Sequence, residues 1–439
     1  MTHRRPWRGQ KELRADTDQV RRHNRSLVLA ALRRHAPIAR VDLGAATQLS
    51  PATITAITAD LIQENIVETV TLDTDAAQTS ATEAPRKPTA ARGRPRVMLQ
   101  LNRRTAFVLA VKITMNKVVL VLADYLGAIV AQRTLTPETL KETRTSFPRF
   151  VVGAIHDFLG EEKIRLKDLA EIGIGAQGVV DTNKGSIAWS PAFSDRDIEL
   201  VRPVARAFGI PCFISNDGNM IAQALNWSDP ERYGGTFAVI FAEYGVGMGL
   251  FVGGRLHAGA NGSAAELGHV NHVPGGPLCS CGRRGCLEAF TADYAIVREA
   301  RQLPPDSDPL EIRPTPEELV VIENAARDGD ERLAGIYRNV GVALGYGLAR
   351  LMAIINPDRI IITGASARAY ELIEGGLMSG IEEAVVEDLR CNTRIETLPY
   401  DQDLIIAGLI ADALARLDHD VFALPLAARL AALEPQGAR

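Results

Sequence analysis

Apolar residues in the first seventy positions fall into short helical periods separated by turn residues. From Asn24, Leu27, Leu29, Ala30, Ala31 and Leu32 recur until the pattern runs out at His35-Ala36-Pro37. A second short helix fits Val41 to Thr47, with Leu43 and Ala46 facing inward. Ser50 then offers a side-chain cap and Pro51 a favoured first helical residue, after which Ile54, Ile57 and Leu61 form one buried stripe. Two short helices joined by a tight turn, with a well-capped helix following, predict a helix-turn-helix. Ile66 to Leu72 alternates well enough to supply the strand of a wing.

Beyond Thr105 the pattern changes to alternating strands and helices. Phe107 to Val111, Val118 to Asp124 and Ile129 to Leu135 predict a meander, followed by a helix over Phe147 to Leu159. Strands are expected at Ile172 to Gly175, Cys212 to Ser215, Thr236 to Phe241, Met248 to Val252 and Arg359 to Thr363. A long helix covers Glu331 to Ile355, and helices resume from Ile405. This is an α/β body with enough elements for two lobes. The expected divisions are 1–72 for the head, 73–97 for a linker or wing insertion, 98–425 for the body and 426–439 for a tail.

Charge separates head from body. The net charge of −4 hides eleven Lys/Arg against four Asp/Glu in the first fifty residues, so the remainder carries −11. A basic head on an acidic body points to a polyanionic partner for the head alone. On the capped helix the face opposite Ile54 carries Ala52, Thr53, Thr55, Ala56 and Ala59, beside Ser50. These suit contact with thymine methyl groups, whereas arginine reads guanine. Arg21, Arg22, Arg25 and Arg40 are the expected phosphate anchors. The linker, rich in Thr, Ala, Asp, Ser and Pro, ends in Arg92-Gly93-Arg94-Pro95-Arg96 before the apolar run Val97 to Leu101. Arg92 and Arg94 are candidates for a narrow minor groove, and a solvated connector is the alternative reading.

His269 and Cys279, Cys281 and Cys286 match the inventory of a tetrahedral Cys3His zinc site, one structural ion per chain. Gly282 and Gly285 allow the sharp turns that bring the thiols together. For an isolated cluster the default reading is a structural knuckle, yet Glu266 and Glu288 flank the outermost ligands and would be positioned by the ion. Five cysteines in 439 residues and a basic, non-apolar N-terminus argue against a disulfide framework and a signal peptide. Without an uninterrupted apolar run of membrane length, the expectation is a soluble cytoplasmic protein with no membrane partner.

The residues themselves carry a resemblance. Gly173-Ile174-Gly175-Ala176-Gln177-Gly178, Ser215-Asn216-Asp217-Gly218-Asn219, Gly245-Val246-Gly247-Met248-Gly249, Leu256 to Gly262, Glu266-Leu267-Gly268-His269 and the cysteine cluster occur in the order typical of the ROK family. That family includes sugar kinases and sugar-responsive repressors with an N-terminal winged helix-turn-helix. The resemblance spans about Leu99 to Leu417 and implies an actin-like (ribonuclease H-like) two-lobed ATPase fold with a sugar cleft. It implies a sugar site of Asn216, Asp217, Glu266, His269 and Glu288, with Asp217 matching the kinase general base. It departs at Ala192, where the kinases commonly carry Asn after Ser-Pro.

The phosphate side departs further. Lys112 and Thr114 stand where the kinases have Asp and Gly in their first phosphate loop, and Glu243-Tyr244 where Gly-Thr is usual. Lysine cannot ligate a hard cation, and Glu243 repels phosphate. The expected function is therefore a non-enzymatic transcriptional regulator, a repressor controlled by a sugar or sugar derivative. Operator DNA, a sugar effector and a homodimer or dimer of dimers are its expected partners. A sugar kinase with an accessory DNA-binding head is the competing class, and a regulator controlled by a partner protein is a third.

Overall fold

The computed structural model describes residues 17–70, 96–399, 401, 403–426 and 429. Arg92 and Arg94 lie outside these residues. The chain divides into two compact units, one comprising the residues to Thr105 and those from Leu414, the other Ala106–Ala413.

In the first unit, α1 (Thr17–His35), β1 (Ile38–Ala39), α2 (Arg40–Thr47) and α3 (Pro51–Gln63) lead into β2 (Val67–Val70) and β3 (Met98–Leu101). Leu29, Leu32, Leu43, Ile54, Ile57 and Leu61 are buried, as their spacing demands. Ser50 caps α3 by accepting from the Thr53 amide at 3.1 Å. The strands form an antiparallel sheet in the order β1-β3-β2, with Val67 opposite Leu101 and Val70 opposite Met98.

This arrangement corrects the expected boundaries. The run after the linker, assigned by its apolarity to the body, is the central strand of the head sheet. The first unit accordingly runs to Thr105, and the residues from Leu414 also join it. There a single π turn, Leu417–Val421, and the following Phe422 and Ala423 bury apolar side chains. Two arginines of α1 hold this segment. Arg33 grips Asp418 with two hydrogen bonds of 2.6 and 2.9 Å. Arg25, 2% exposed, donates to the Phe422 carbonyl at 2.6 Å and pairs with Glu64 at 2.5 Å. Arg25 is therefore a buried clasp and not a phosphate anchor. Arg21 pairs with Asp60 at 2.7 Å, whereas Arg22 is exposed.

The second unit opens with β4 (Phe107–Thr114), β5 (Lys117–Asp124), β6 (Ile129–Leu135) and α4 (Ser146–Glu161). It continues through β7 (Leu169–Ala176), β8 (Val179–Asp181), β9 (Ser186–Trp189), β10 (Ile198–Glu199), α5 (Val201–Phe208), β11 (Cys212–Asn216) and α6 (Asp217–Ser228). Next come β12 (Phe237–Ala242), β13 (Val246–Val252), β14 (Arg255–Leu256), α7 (Glu288–Thr291), α8 (Asp293–Ala300), α9 (Pro316–Arg327) and α10 (Glu331–Ile355). The last elements are β15 (Arg359–Gly364), α11 (Ala365–Arg368), α12 (Tyr370–Ala384), α13 (Glu387–Arg390), β16 (Arg394–Thr397) and α14 (Asp403–Arg416).

Two five-stranded sheets organise them, in the orders β11-β7-β4-β5-β6 and β14-β13-β12-β15-β16. Each packs its own apolar core, one around Val111, Leu120 and Ile174, the other around Ile240, Leu344 and Ile362. In both, hairpins give antiparallel pairs and helical crossovers give parallel ones, the arrangement of an α/β lobe. The start of α6 lies against β13 at two glycines. A side chain at Gly218 would come 2.8 Å from the Met248 carbonyl carbon, and one at Gly249 would strike the Gly218 carbonyl. That close approach sets Asp217 directly beside the second sheet.

The clasp yields a stability prediction. Arg33→Ala should destabilise the head by about 3 kcal/mol in chemical denaturation, because it removes a two-bond cationic partner from a buried carboxylate. Arg22→Ala, at an exposed site, should change stability by less than about 0.5 kcal/mol.

Candidate functional site

A cavity of about 320 Å³ opens in the second unit, with Asp217, Glu266, His269 and Glu288 in its wall. Turns between strands furnish much of the rest. The β4–β5 hairpin places Lys112 and Thr114, and the β12–β13 turn places Glu243 and Tyr244. All five residues expected at a sugar site therefore line one cavity, Asn216 included. They differ in how free they are.

Asn216 caps α6, its Oδ1 accepting the Asn219 amide at 2.9 Å. Its amide nitrogen is what remains for a ligand. Asp217 is the first residue of α6, and its Oδ1 accepts the Gly218 amide at 2.8 Å. Burial pushes its carboxyl up to about 6, against the pull of backbone hydrogen bonds and Lys112. Glu266 has a buried Oε1 with no hydrogen-bond partner among the described residues. Burial raises it to about 7, with repulsion from Asp217 and Glu288 adding to the shift.

Glu288 is the most committed. Its Oε2 accepts the Val246 amide at 3.2 Å, and its Oε1 accepts from the Tyr294 hydroxyl at 3.2 Å and from Ser280. Gly245 makes room for it, since a β-carbon there would lie 2.9 Å from Oε2. Glu288 thus positions the cavity wall before it touches any ligand.

Behind that wall, the ligand atoms of His269, Cys279, Cys281 and Cys286 all lie within 4.8 Å of one another. Cys281 and Cys286 sulfurs are 3.8 Å apart, and Cys279 Sγ is 3.7 Å from His269 Nδ1. A tetrahedral ion with metal–sulfur bonds of about 2.3 Å requires sulfur separations of about 3.8 Å. The site fits such an ion. Hydrogen bonds, first from Cys279 and also from His269, lower the Cys281 thiol, while the bond to Cys281 raises Cys279 and burial raises Cys286, so one thiolate is favoured within the cluster. Gly282 and Gly285 both adopt left-handed backbone, with φ of 84° and 75°. Cys212 and Cys391 lie outside this cluster.

The cavity also contains residues that the motifs did not reveal. Trp189 stands edge-on to His269 with ring centroids 5.4 Å apart. Met115, Phe241 and Ile405 add apolar surface beside Val246 of the glycine motif. Trp189 had a signal, as a rare residue just before Ser190-Pro191; Ile405 had none, because α14 is apolar along most of its length.

The residues that depart from the kinase phosphate loops, Lys112, Thr114, Glu243 and Tyr244, also line the cavity. Lys112, 7% exposed, lies close enough to Asp217 and Glu243 to lower both carboxyls. The Tyr244 hydroxyl donates to the Pro309 carbonyl at 2.8 Å, fixing its ring over the turn. A second cavity, about 450 Å³, lies beyond Glu243 and is lined by Asp293, Gly364, Ala365 and Arg368. Arg368 is held by Glu323 through hydrogen bonds of 2.6 to 3.0 Å.

Residues 108–411 match the ROK family over more than two thirds of the chain. The chain belongs to the ROK family. It is 25% identical to the DNA-binding transcriptional dual regulator NagC of Escherichia coli, over 86% of this chain and 89% of that protein. Among solved structures it is similar to a ROK family transcriptional regulator, a homologue of the E. coli MLC protein. There the TM-score is 0.73 and the identity 23%, over 92% of this chain and 99% of the other. A ROK glucokinase from Streptomyces griseus, solved with glucose and AMPPNP, covers 70% of this chain with 98% of its own length, at 26% identity and TM-score 0.52. The second unit accordingly has the two-lobed, actin-like fold of ROK kinases, and the first unit is what the regulators add to it.

Three cavity carboxyls generate a pH prediction. Burial is the largest cause in each case, raising Glu243 and Asp293 to about 7 and Asp217 to about 6. In the unfolded chain such groups release protons near pH 4. Over the interval between, the folded state holds more protons, so this contribution to stability falls as pH rises from about 4 to about 7. Glu243→Gln should therefore be more stable than the parent at pH 8, on the order of 2 kcal/mol, with the difference closing toward pH 5. Denaturation midpoints across that range measure it.

Proposed function

We propose that this chain is a sugar-responsive transcriptional regulator, a repressor of carbohydrate genes, whose cleft binds a sugar or sugar derivative without phosphorylating it. One observation carries the reading. One cavity is lined by Asn216, Asp217, Glu266, His269 and Glu288, the set that the family resemblance assigns to a sugar, and by Lys112, Glu243 and Tyr244, which replace the acid and the Gly-Thr of the kinase phosphate loops. The similarity to NagC over 86% of the chain, head included, supports the regulator over the kinase. The purified protein should show no sugar-dependent ATP turnover across a hexose and amino-sugar panel, while at least one sugar raises its melting temperature. Turnover that vanishes in Asp217→Asn would overturn this.

The head acts as a winged helix-turn-helix that binds operator DNA. α2 and α3 supply the helices, and β2 and β3 the wing. Ala52, Thr55, Ala56 and Ala59 are exposed on α3, with Thr53 and the capping Ser50 beside them. Thr55 spends its hydroxyl on the Pro51 carbonyl at 2.8 Å, a bond internal to the helix. That suits it to apolar contact with a thymine methyl group. Arg22 anchors phosphate, and Arg92 and Arg94 reach the minor groove. Arg22→Ala should flatten the plot of log affinity against log salt by about one unit without altering base preference. Thr55→Ala should alter preference and leave the slope. The reverse pattern would refute this placement. A two-fold operator calls for a homodimer or dimer of dimers, in the cytoplasm.

His269, Cys279, Cys281 and Cys286 hold one structural zinc ion, which stiffens the loop between Glu266 and Glu288 and fixes which imidazole nitrogen faces the cleft. Elemental analysis should find one zinc per chain, and Cys281→Ser should lose metal and sugar response together. Normal sugar binding after metal removal would refute the coupling.

A further inference from the structure

We propose that the effector carries a positively charged amino group beside its hydroxyls, and that this group docks on Glu243 in the wall of the cleft. The inference rests on the reading of that cleft as a sugar site and names the class of sugar.

Four carboxyls line the cavity, Asp217, Glu243, Glu266 and Glu288, against two ammonium groups, Lys112 and Lys117. The four are not equivalent. Glu288 is consumed by Val246, Ser280 and Tyr294, and Asp217 accepts a backbone amide. Glu266 keeps a buried oxygen with no hydrogen-bond partner among the described residues. Glu243 is the residue with no counterpart in the sugar-facing set. Its described hydrogen bonds are made by its backbone, to Gly245 and from Asp293. Around its carboxylate, Asp293 and Asp217 repel, and Lys112 and Arg368 attract. Arg368 is already bound to Glu323, and Lys112 is shared with Asp217.

The cavity is thus short of positive charge where Glu243 stands. Burial first, and then repulsion from Asp293 and Asp217, push Glu243 up to about 7. A neutral hydroxyl leaves that deficit in place. A phosphate enlarges it. An ammonium group corrects it while also donating hydrogen bonds to the carboxylate oxygens. A hard divalent cation needs about six oxygen ligands, and Lys112 stands among the acids that would have to provide them. In the same cavity, Trp189, Met115 and Ile405 offer apolar surface for the face of a sugar ring. The ligand that satisfies both sides is a free amino sugar. An N-acylated one has lost the charge.

The test uses the full-length, metal-loaded protein and calorimetry at pH 7. The probes are glucosamine, galactosamine and mannosamine, each with its parent hexose, its N-acetyl derivative and its 6-phosphate, and magnesium alone. At least one free amino sugar should bind tenfold or more tightly than its parent, its N-acetyl form and its phosphate. E243Q should bring the amino sugar and its parent to within about twofold, and E243D should restore part of the preference. A parent, N-acetyl or phosphorylated sugar binding as well as the amine would overturn the inference and leave the sugar site standing. So would a preference that survives E243Q, or magnesium binding that depends on Glu243. If no sugar binds in any form, the reading of the cleft fails and takes the inference with it.

Discussion

Glu288 is the interaction on which the functional half of the molecule depends. A carboxylate 3% exposed must have its oxygens satisfied, and here they are satisfied by two different structures. One oxygen takes the Val246 amide at the start of β13, and the other takes Ser280 and Tyr294, with the Cys279 thiol 3.4 Å away. The thiol loop and the turn carrying Glu243 and Tyr244 are therefore tied to one side chain. Gly245 permits the approach, and the left-handed backbone of Gly285 permits the loop. The thiol cluster and the cleft thus share one carboxylate.

This arrangement explains how a kinase-type lobe pair serves as a sensor. Substrate recognition in such a fold needs carboxylates and amides aimed into a cleft, whereas phosphoryl transfer also needs backbone approach to phosphate and a metal held by oxygen. The first requirement is met here. The second meets residues of the wrong chemistry, a lysine on β4 and an acid–aromatic turn after β12, while the strands that carry them keep their register. Loss of the phosphate ground leaves the architecture of closure intact, and closure is the kind of two-state element that a ligand can bias.

Much of this was legible in the sequence. The α3 cap, the β6 and α10 bounds and the Cys3His grouping followed from local rules, because capping, hydrophobic period and ligand spacing are local quantities. What was missed is non-local. Met98–Leu101 has the apolarity of a body strand, and only its pairing with Val67–Val70 places it in the head sheet. Arg25 sits in a basic stretch like its neighbours; Phe422 and Glu64, distant in sequence, determine that it is buried. Asn216 and Glu288 were read for the ligand, yet a helix cap and a buried network claim part of the first and most of the second. Residue type and order identified the cavity; long-range partners decided which atoms remain free in it.

The central claim is that occupancy of the cleft controls the head's affinity for DNA. Linkage makes that claim reciprocal: a sugar that changes operator affinity by some factor must have its own affinity changed by operator by the same factor. Calorimetry of sugar binding to the full-length protein, with and without saturating operator DNA, measures the factor directly. The account predicts sugar affinity at least fivefold weaker in the presence of operator, matched by an equal weakening of operator binding by sugar. Equal sugar affinity in the two conditions would contradict it and leave control of the head to a partner protein.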